Sequence, residues 1–387
     1  MRKLFITVCE LDEISFLPNG AESELFSAPL YEHAYRKIKD AANKLDLDVE
    51  FVRAATFPVR GATNEFNPDF EDIVAVVSPL VFLAHARTIE DAISFVIKND
   101  PAYATVGHTR SLFGVFGLGK MVSGGVIGSC HDFINHIDES GAICKSIALA
   151  EGEKAVPVSR IDYLKRVEAY REELLDYLVM TGVEIETREG VTIAPNTEIR
   201  RGTVIHRGTK VGPWTVIKEK CEIGPDTVID QSMIGERCTV KSSYVIKSTL
   251  EDGVNVSPFS HIKDSKIFSG VEIGSFVNVD GSVIGMDTRV EHHSHIGDCD
   301  TGSRVIIGVG VATVNHYSNK DVRRCKLGDD VTVGCGANLI APLNIGAGAF
   351  VAAGSTITDD VPSNALAIAR QYQKNRDGWA KKRRKTK

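Results

Sequence analysis

The sequence predicts an α/β domain followed by a left-handed parallel β-helix of hexapeptide repeats. Three observations lead there. An aliphatic residue returns every six positions through the second half of the chain. Glycine repeatedly follows it. In the first half, short β-branched runs alternate with helical ones.

The chain has 387 residues, of which 43% are hydrophobic and 25% charged. Such a composition supports a folded core and excludes disorder for the bulk of the chain. No apolar run reaches the roughly 18 residues that a transmembrane helix needs. The first residues, MRKLFITVCELDE, lack the long apolar stretch of a signal peptide. A cytoplasmic location is therefore expected. Net charge is −6, although the last eight residues, AKKRRKTK, are strongly basic. An acidic body with a basic tail argues against a dedicated nucleic-acid binder. The eight cysteines form no CxxC pair, so neither a zinc knuckle nor a disulfide framework is indicated.

In chain order, LFITVC (4–9), VEFVRA (49–54) and DIVAVVSPL (72–80) read as strands. Residues 30–45 place Leu30, Ala34, Ile38, Ala41, Ala42 and Leu45 on one helical face. Residues 88–100 read as a second helix with Thr88 as N-cap. The alternation suggests a parallel sheet. The run GVFGLGKMVSGG (114–125) fits neither dinucleotide nor P-loop spacing and reads as a structural loop. Residues 160–181 form one long charged amphipathic helix, expected to connect the domains.

The repeat then begins. Ile193, Ile199, Ile205, Val211, Ile217, Ile223 and Ile229 are spaced by six without a break. After a one-residue slip come Ile234, Val240 and Ile246. Ile262, Ile267, Ile273, Val279, Ile284, Val290 and Ile296 follow with further slips. Leu327, Val333, Leu339, Ile345, Val351 and Ile357 restore the period. No helix has a period of six, but a triangular coil of three short strands does. One aliphatic residue per side points inward, and stacked coils bury a continuous column. About 170 residues at about 18 per turn make nine or ten coils. The series breaks at ATVNHYSNKDVRRCK (312–326), which reads as a protruding loop. The expected divisions are 1–157 for the α/β domain, 158–185 for the connecting helix, 186–370 for the β-helix and 371–387 for a solvated basic tail.

Long strings in residues 158–380 resemble the C-terminal part of a bacterial bifunctional family, the N-acetylglucosamine-1-phosphate uridyltransferase/glucosamine-1-phosphate acetyltransferases. They include GVTIAPNTEI (190–199), SPFSHIKDS (257–265), HHSHIGD (292–298), ATVNHY (312–317) and NLIAPLNIGAGAFVAAGSTITDDVPSNALAIAR (338–370). The N-terminal half resembles that family's nucleotidyltransferase domain in a degenerate form, through SAPLYEHAYRKIKDAANKL (27–45) and VAVVSPLVFL (74–83). Ser78 stands where the family carries a metal-binding Asp, so a Mg site is not expected. VCELDEISFLPNG (8–20) replaces the basic glycine-rich loop, and its three acids would repel a triphosphate. Loss of pyrophosphorylase activity is the expectation.

The resemblance implies an N-acyltransferase that moves acetyl from acetyl-CoA to an amino-sugar phosphate or nucleotide sugar, related to UDP-N-acetylglucosamine synthesis. It also implies a homotrimer. His292 matches the family's general base, a role suited to an imidazole. Asn315 matches an Asn near the acetyl group and would stabilise the oxyanion. On the acceptor side Lys263 stands for an Arg, Asp280 for a phosphate-binding Lys, Asn278 for a Glu, His295 for a Tyr and Ile306 for an Asn. Asp280 reverses a charge, which disfavours a sugar 1-phosphate. On the CoA side Gly308, Gly334, Ala353 and Arg370 match, and Cys335 replaces a Ser; Arg370 can pair with a CoA phosphate. Lys320, Arg323 and Arg324 on the insertion are cations that an anionic ligand would meet.

Plainer readings stand beside these. Gly308 and Gly334 suit coil corners for purely structural reasons. Polar surface histidines on a coil need no function. Two further functional readings remain open. One is a non-catalytic trimeric binding or regulatory relative. The other is a hexapeptide-repeat metal enzyme, with His292, His293 and His295 offering three ligands in four positions.

Overall fold

The structure, a computed structural model, describes residues 3–8, 24–25, 28–51, 73–77, 79–84, 86–99, 102–108, 111–118, 143–147, 159–318 and 321–384. Packing divides the chain into two compact units. One is 1–181 with 192–197 and 210–214; the other comprises 182–191, 198–209 and 215–387.

In the first unit, strands β1 (Lys3–Val8), β4 (Asp48–Phe51), β5 (Ile73–Val77), β6 (Ala102–His108), β7 (Ser111–Leu118) and β8 (Ile143–Ile147) form one sheet. Its order is β4-β1-β5-β7-β6-β8. A minor hairpin, β2 (Glu24–Leu25) with β3 (Ala28–Pro29), precedes helix α1 (Leu30–Asn43). The sheet is mixed, not parallel as expected, because β7 runs antiparallel to both neighbours. Only two residues separate β6 from β7, too few for a crossover, so the pair closes as a hairpin. Gly114 and Gly117 therefore lie in a paired strand, not in a loop; residues 119–125 of that run lie outside the described residues.

The apolar face of α1 is buried as the spacing predicts, with Ala34, Ile38, Ala41 and Ala42 fully covered. Helix α2 spans Ala86–Lys98. Thr88 is thus buried inside its first turn instead of capping it. The long helix α3 (Arg160–Met180) is capped by Ser159, whose hydroxyl accepts the Asp162 N–H. It is no free connector. Tyr163, Val167, Tyr170 and Leu174 join the core of the first unit. His33 Nδ1 lies 3.2 Å from the Tyr170 hydroxyl, and Lys37 Nζ pairs with Glu173 at 2.5 Å. The helix docks through its apolar side, and Lys37, buried against it, is matched by the half-exposed Glu173 carboxylate instead of being left unpaired.

The second half is a parallel β-helix of hexapeptide repeats. Three sheets of ten, nine and eleven short strands form its sides. Strands pair in register with the next coil, as in Ile193↔Val211 and Ile262↔Val279. The inward residue of each side is buried, and Ile205, Ile217, Ile223, Ile229, Ile262 and Ile296 are wholly so. Covering each such side chain contributes about 1.5–3 kcal/mol. All but one of the slips have one place in the fold; the exception is Val240 to Val245 at the preceding corner, which turns Val245 inward and not Ile246 as the spacing predicts. Ile229 to Ile234, Val245 to Leu250, Ile262 to Ile267 and Val279 to Ile284 are five residues apart, and each pair spans the same corner. Gln231, Lys247, Asp264 and Gly281 turn that corner with φ between 46° and 57°, the left-handed conformation.

A second set of buried residues escaped the aliphatic pattern. Ser232, Ser248, Ser265 and Ser282 form a ladder beside that corner. Each hydroxyl accepts the backbone N–H one coil on, at 3.0–3.1 Å, and the last rung is Cys299 N–H. The insertion at 312–326 leaves the coil as an antiparallel pair, His316–Ser318 with Asp321–Val322. The tail is exposed through residue 380, and a short helix α4 covers Trp379–Arg384. Among the described residues, no helix is long and apolar enough to cross a membrane.

Candidate active site

The residues matched to the donor share one corner of the coil. Backbone bonds fix the register: Gly274 N–H donates to Val290 O, Glu291 to Ile307, Gly308 to Val333, Gly334 to Val351 and Ala352 to Ala367. One residue further along lie Ser275, His292, Val309, Cys335 and Ala353, in line down five coils. At about 4.8 Å per coil, His292 and Ala353 are about 14 Å apart. Arg370, exposed, follows just after the last rung, where Thr356 N–H donates to Ala369 O.

Glycine has two different causes along this corner. A Cβ on Gly308 would meet Cys335 N at 2.7 Å, and one on Gly334 would meet Ala353 N at 2.5 Å. Coil stacking alone demands those two. Gly310, Gly336 and Gly354 have φ of +72°, +66° and +68°, and a Cβ on any of them would meet nothing within 4 Å. The same place in the preceding coils holds Phe259, Phe276 and His293, also left-handed. Their rings stack at 5.1 and 4.9 Å. The corner thus steps from a raised aromatic wall to a bare track beside His292.

The three histidines go to three different partners. His293 lies flat on Phe276. His292 Nδ1 accepts the Ser275 N–H at 2.8 Å. That leaves the proton of the neutral ring at Nε2. His295 Nδ1 lies 3.0 Å from Asn278 Nδ2. Among the described residues, no three His, Cys, Asp or Glu side chains converge as a metal site.

The residues matched to the acceptor side, apart from Ile306 and Asn315, lie on the adjoining sheet face. His261, Asn278 and His295 form one outward column, and Lys263, Asp280 and Gly297 the next. Lys263, 45% exposed in its side chain, leans to Asp264 at 3.6 Å. Ile306 is exposed on another face, one sheet away. Asn315 is buried just before the inserted hairpin, and its Nδ2 donates to Asp298 Oδ2 at 2.6 Å.

Arg324 holds this group from below. It donates to Asp298 Oδ1 at 3.3 Å, to Gly281 O at 3.0 Å and to Asp300. The Asp300 carboxylate raises the guanidinium pKa further above its usual value. Arg324 is therefore a tie for the insertion rather than a cation awaiting a ligand. Lys320 lies outside the described residues. Asp298 and Asp300 do not stand out in the sequence as site residues. The available signal is spacing: Asp298 precedes Asn315 by 17 residues, one coil before the insertion begins.

The thiols divide sharply. Cys335 is exposed, while Cys299 and Cys325 are buried. Burial pushes the Cys299 thiol well up and Cys325 to about 11.

Residues 222–304 match a family model described as GlmU-like, C-terminal hexapeptide. The "Bifunctional protein GlmU" of Halalkalibacterium halodurans is 39% identical over 249 residues, 64% of this chain and 51% of that protein. The protein of the same name from Caldicellulosiruptor saccharolyticus is 42% identical over 157 residues, 40% of this chain and 34% of that one. Among solved structures, the UDP-N-acetylglucosamine acyltransferase of Francisella novicida is similar at 17% identity. The similarity covers 48% of this chain and 66% of that one, with a TM-score of 0.30. The chain spans between a third and a half of the length of these two curated relatives. Through its hexapeptide-repeat region, the chain is similar to the GlmU-like family.

Proposed function

We propose that this protein is an acetyl-CoA-dependent N-acyltransferase acting on an amino-sugar phosphate or nucleotide sugar. The observation that carries the reading is the line His292, Val309, Cys335 and Ala353 down successive coils, beside a track bare of side chains, with Arg370 two residues past the position that continues the line. An extended pantetheine fits such a line, with its phosphates toward Arg370 and its thioester toward His292. The site forms between neighbouring subunits of a trimer.

In the reaction the amine nitrogen attacks the thioester carbonyl carbon. The C–N bond forms and the C–S bond breaks. The proton lost by nitrogen passes to a base and from there to the departing sulfur, giving CoA thiol. His292 serves as that base once its ring leaves Ser275, so that Nδ1 carries the proton and Nε2 presents a lone pair. Lys263, Asn278, Asp280 and His295 face the acceptor. Asp280 favours an acceptor group that is neutral or cationic at that point. The N-terminal domain has lost pyrophosphorylase chemistry, since acids replace its phosphate-binding loop in the sequence; it takes no Mg.

The test is calorimetric titration with acetyl-CoA, followed by CoA-release assays against a panel of amino sugars, their phosphates and nucleotide amino sugars. Micromolar binding is expected in the unaltered protein and in His292→Ala, with transfer lost only in the variant. Absence of binding at millimolar acetyl-CoA overturns the reading. A non-catalytic binding relative is the second reading. The contact between His292 Nδ1 and Ser275 N–H favours it, because that contact withholds the basic nitrogen. Acetyl-CoA bound without turnover of any acceptor would select it.

A further inference from the structure

The outward sheet face that carries His295 does not end at the residues matched to an acceptor. Its two columns continue toward the earlier coils. One reads His295, Asn278, His261, Tyr244 and Val228; the other reads Gly297, Asp280, Lys263, Ile246 and Asp230. Tyr244 is 51% exposed. Its ring meets that of His261 edge to face, with centroids 6.1 Å apart and planes at 77°. Whichever ring supplies the edge, that contact leaves at least one face of Tyr244 open. At about 4.8 Å per coil, Tyr244 stands about 14 Å from His295.

Charge along this face selects the ligand. Lys263 supplies the fixed positive charge of the two columns. Asp280 lies one coil to one side of it; Ile246 lies one coil to the other, with Asp230 a coil further on. A phosphate monoester near pH 7 carries close to two negative charges on one phosphorus. One lysine with Asp280 beside it matches that charge poorly. A diphosphate diester carries one charge on each phosphorus. The Lys263 ammonium, on a flexible stem and only 3.6 Å from the half-exposed Asp264, can swing to both. One coil past it, Tyr244 offers a platform for a nucleobase, and aromatic stacking suits any base because each has a π face.

We infer that the acceptor is a nucleoside diphosphate amino sugar, with its amine toward His292, its diphosphate at Lys263 and its base stacked on Tyr244. The inference rests on the acyl-transfer reading for the position of the amine, and narrows the acceptor to the nucleotide sugar. An amino-sugar monophosphate ends at Lys263 and leaves Tyr244 uncontacted. Tyr244 binds and orients; no bond or proton changes hands there.

The test is calorimetric titration of the full chain with UDP-glucosamine and with glucosamine 1-phosphate, without acetyl-CoA, beside saturation-transfer NMR of the uracil protons. UDP-glucosamine is expected to bind about tenfold more tightly than glucosamine 1-phosphate. Tyr244→Ala should remove that advantage, about 1.4 kcal/mol, and abolish transfer to the uracil protons. Tyr244→Phe, which keeps the ring, should behave as the unaltered protein. Equal affinity for the two ligands, or no binding of either at millimolar concentration, overturns the subsite. So does tighter binding of UDP-glucosamine that Tyr244→Ala leaves unchanged, since the nucleotide then sits elsewhere on the chain. Each of these leaves acyl transfer standing if acetyl-CoA still binds. Tyr244-dependent binding of UDP-glucosamine to a protein that takes no acetyl-CoA keeps the subsite and overturns acyl transfer. Circular dichroism of each variant separates lost binding from lost fold.

Discussion

Gly297 and the cysteines show how strongly one residue's environment sets its chemistry. Any side chain at 297 displaces His295 and Asn315, the former one rung from Asn278 and the latter tied to Asp298. Gly297→Ala should therefore cost about 1–3 kcal/mol, the usual penalty for overpacking, measured by urea denaturation. The thiols supply a chemical prediction. A thiol reacts as its thiolate. Cys299 and Cys325, buried and with raised pKa, should resist iodoacetamide at pH 8, while exposed Cys335 is alkylated. Peptide mass mapping after a short exposure reads the difference, and acetyl-CoA should slow the reaction at Cys335 if it lies along that corner.

At the scale of the coil, two interactions repeat. One is the aliphatic column, which excludes water from the axis. The other is the serine ladder, in which each buried hydroxyl answers a backbone N–H that the tight corner leaves without a strand partner. Ser265 illustrates it: its Oγ donates to Lys263 O at 2.6 Å and accepts from Ser282 N–H at 3.1 Å. Ser265→Ala removes the acceptor and strands a buried donor, which costs about 1–3 kcal/mol. Chemical denaturation checks the size. A change below a few tenths of that would mean that water replaces the hydroxyl. The aliphatic column was legible in the sequence because one residue type recurs at one period. The ladder was not, since serine is also the ordinary residue of exposed turns, and only burial tells the two apart. Thr88 misled for a related reason: a β-branched hydroxyl suits an N-cap, but the helix begins at Ala86 and the threonine is packed in its first turn.

At the scale of the whole molecule, several exposed carboxylates among the described residues are held by fixed partners. Arg304 grips Asp330 through two hydrogen bonds of 2.8 Å and holds its carboxyl below the usual range. Asn344 does the same for Asp360, with its side chain and its backbone N–H. A carboxyl whose pKa is lower in the folded state than in the unfolded one adds stability above the unfolded value, near 4. That contribution disappears as pH falls through the folded value. Thermal melts of Asp330→Asn and Asp360→Asn should therefore differ from the unaltered protein at pH 7 and converge with it below pH 4. Both carboxylates are solvent-exposed, so the difference at pH 7 is small and salt weakens the Arg304–Asp330 part of it.

The sequence by itself determined the β-helix, because a six-residue aliphatic period admits no other way to bury its own stripe. The family resemblance, not the count, brought Gly308, Gly334, Cys335 and Ala353 together: the insertion puts 26 residues between Gly308 and Gly334, no multiple of six, whereas Cys335 and Ala353, 18 apart, fall one coil apart by counting. Spacing also determined the buried face of α1, from the positions of Ala34, Ile38, Ala41 and Ala42. Tertiary structure alone decided three things. Strand β7 turns back as a hairpin because the link to β6 is too short to cross over. Arg324, a cation on an insertion when read from sequence, is spent on Asp298 and Asp300. The nitrogen that each histidine offers is set by Ser275 or Asn278, each 17 residues away and one coil below. A period specifies which residues share a line, since that depends on backbone geometry alone. Where a proton sits depends on which atom of a neighbouring coil comes within about 3 Å, and that distance exists only once the coils are stacked.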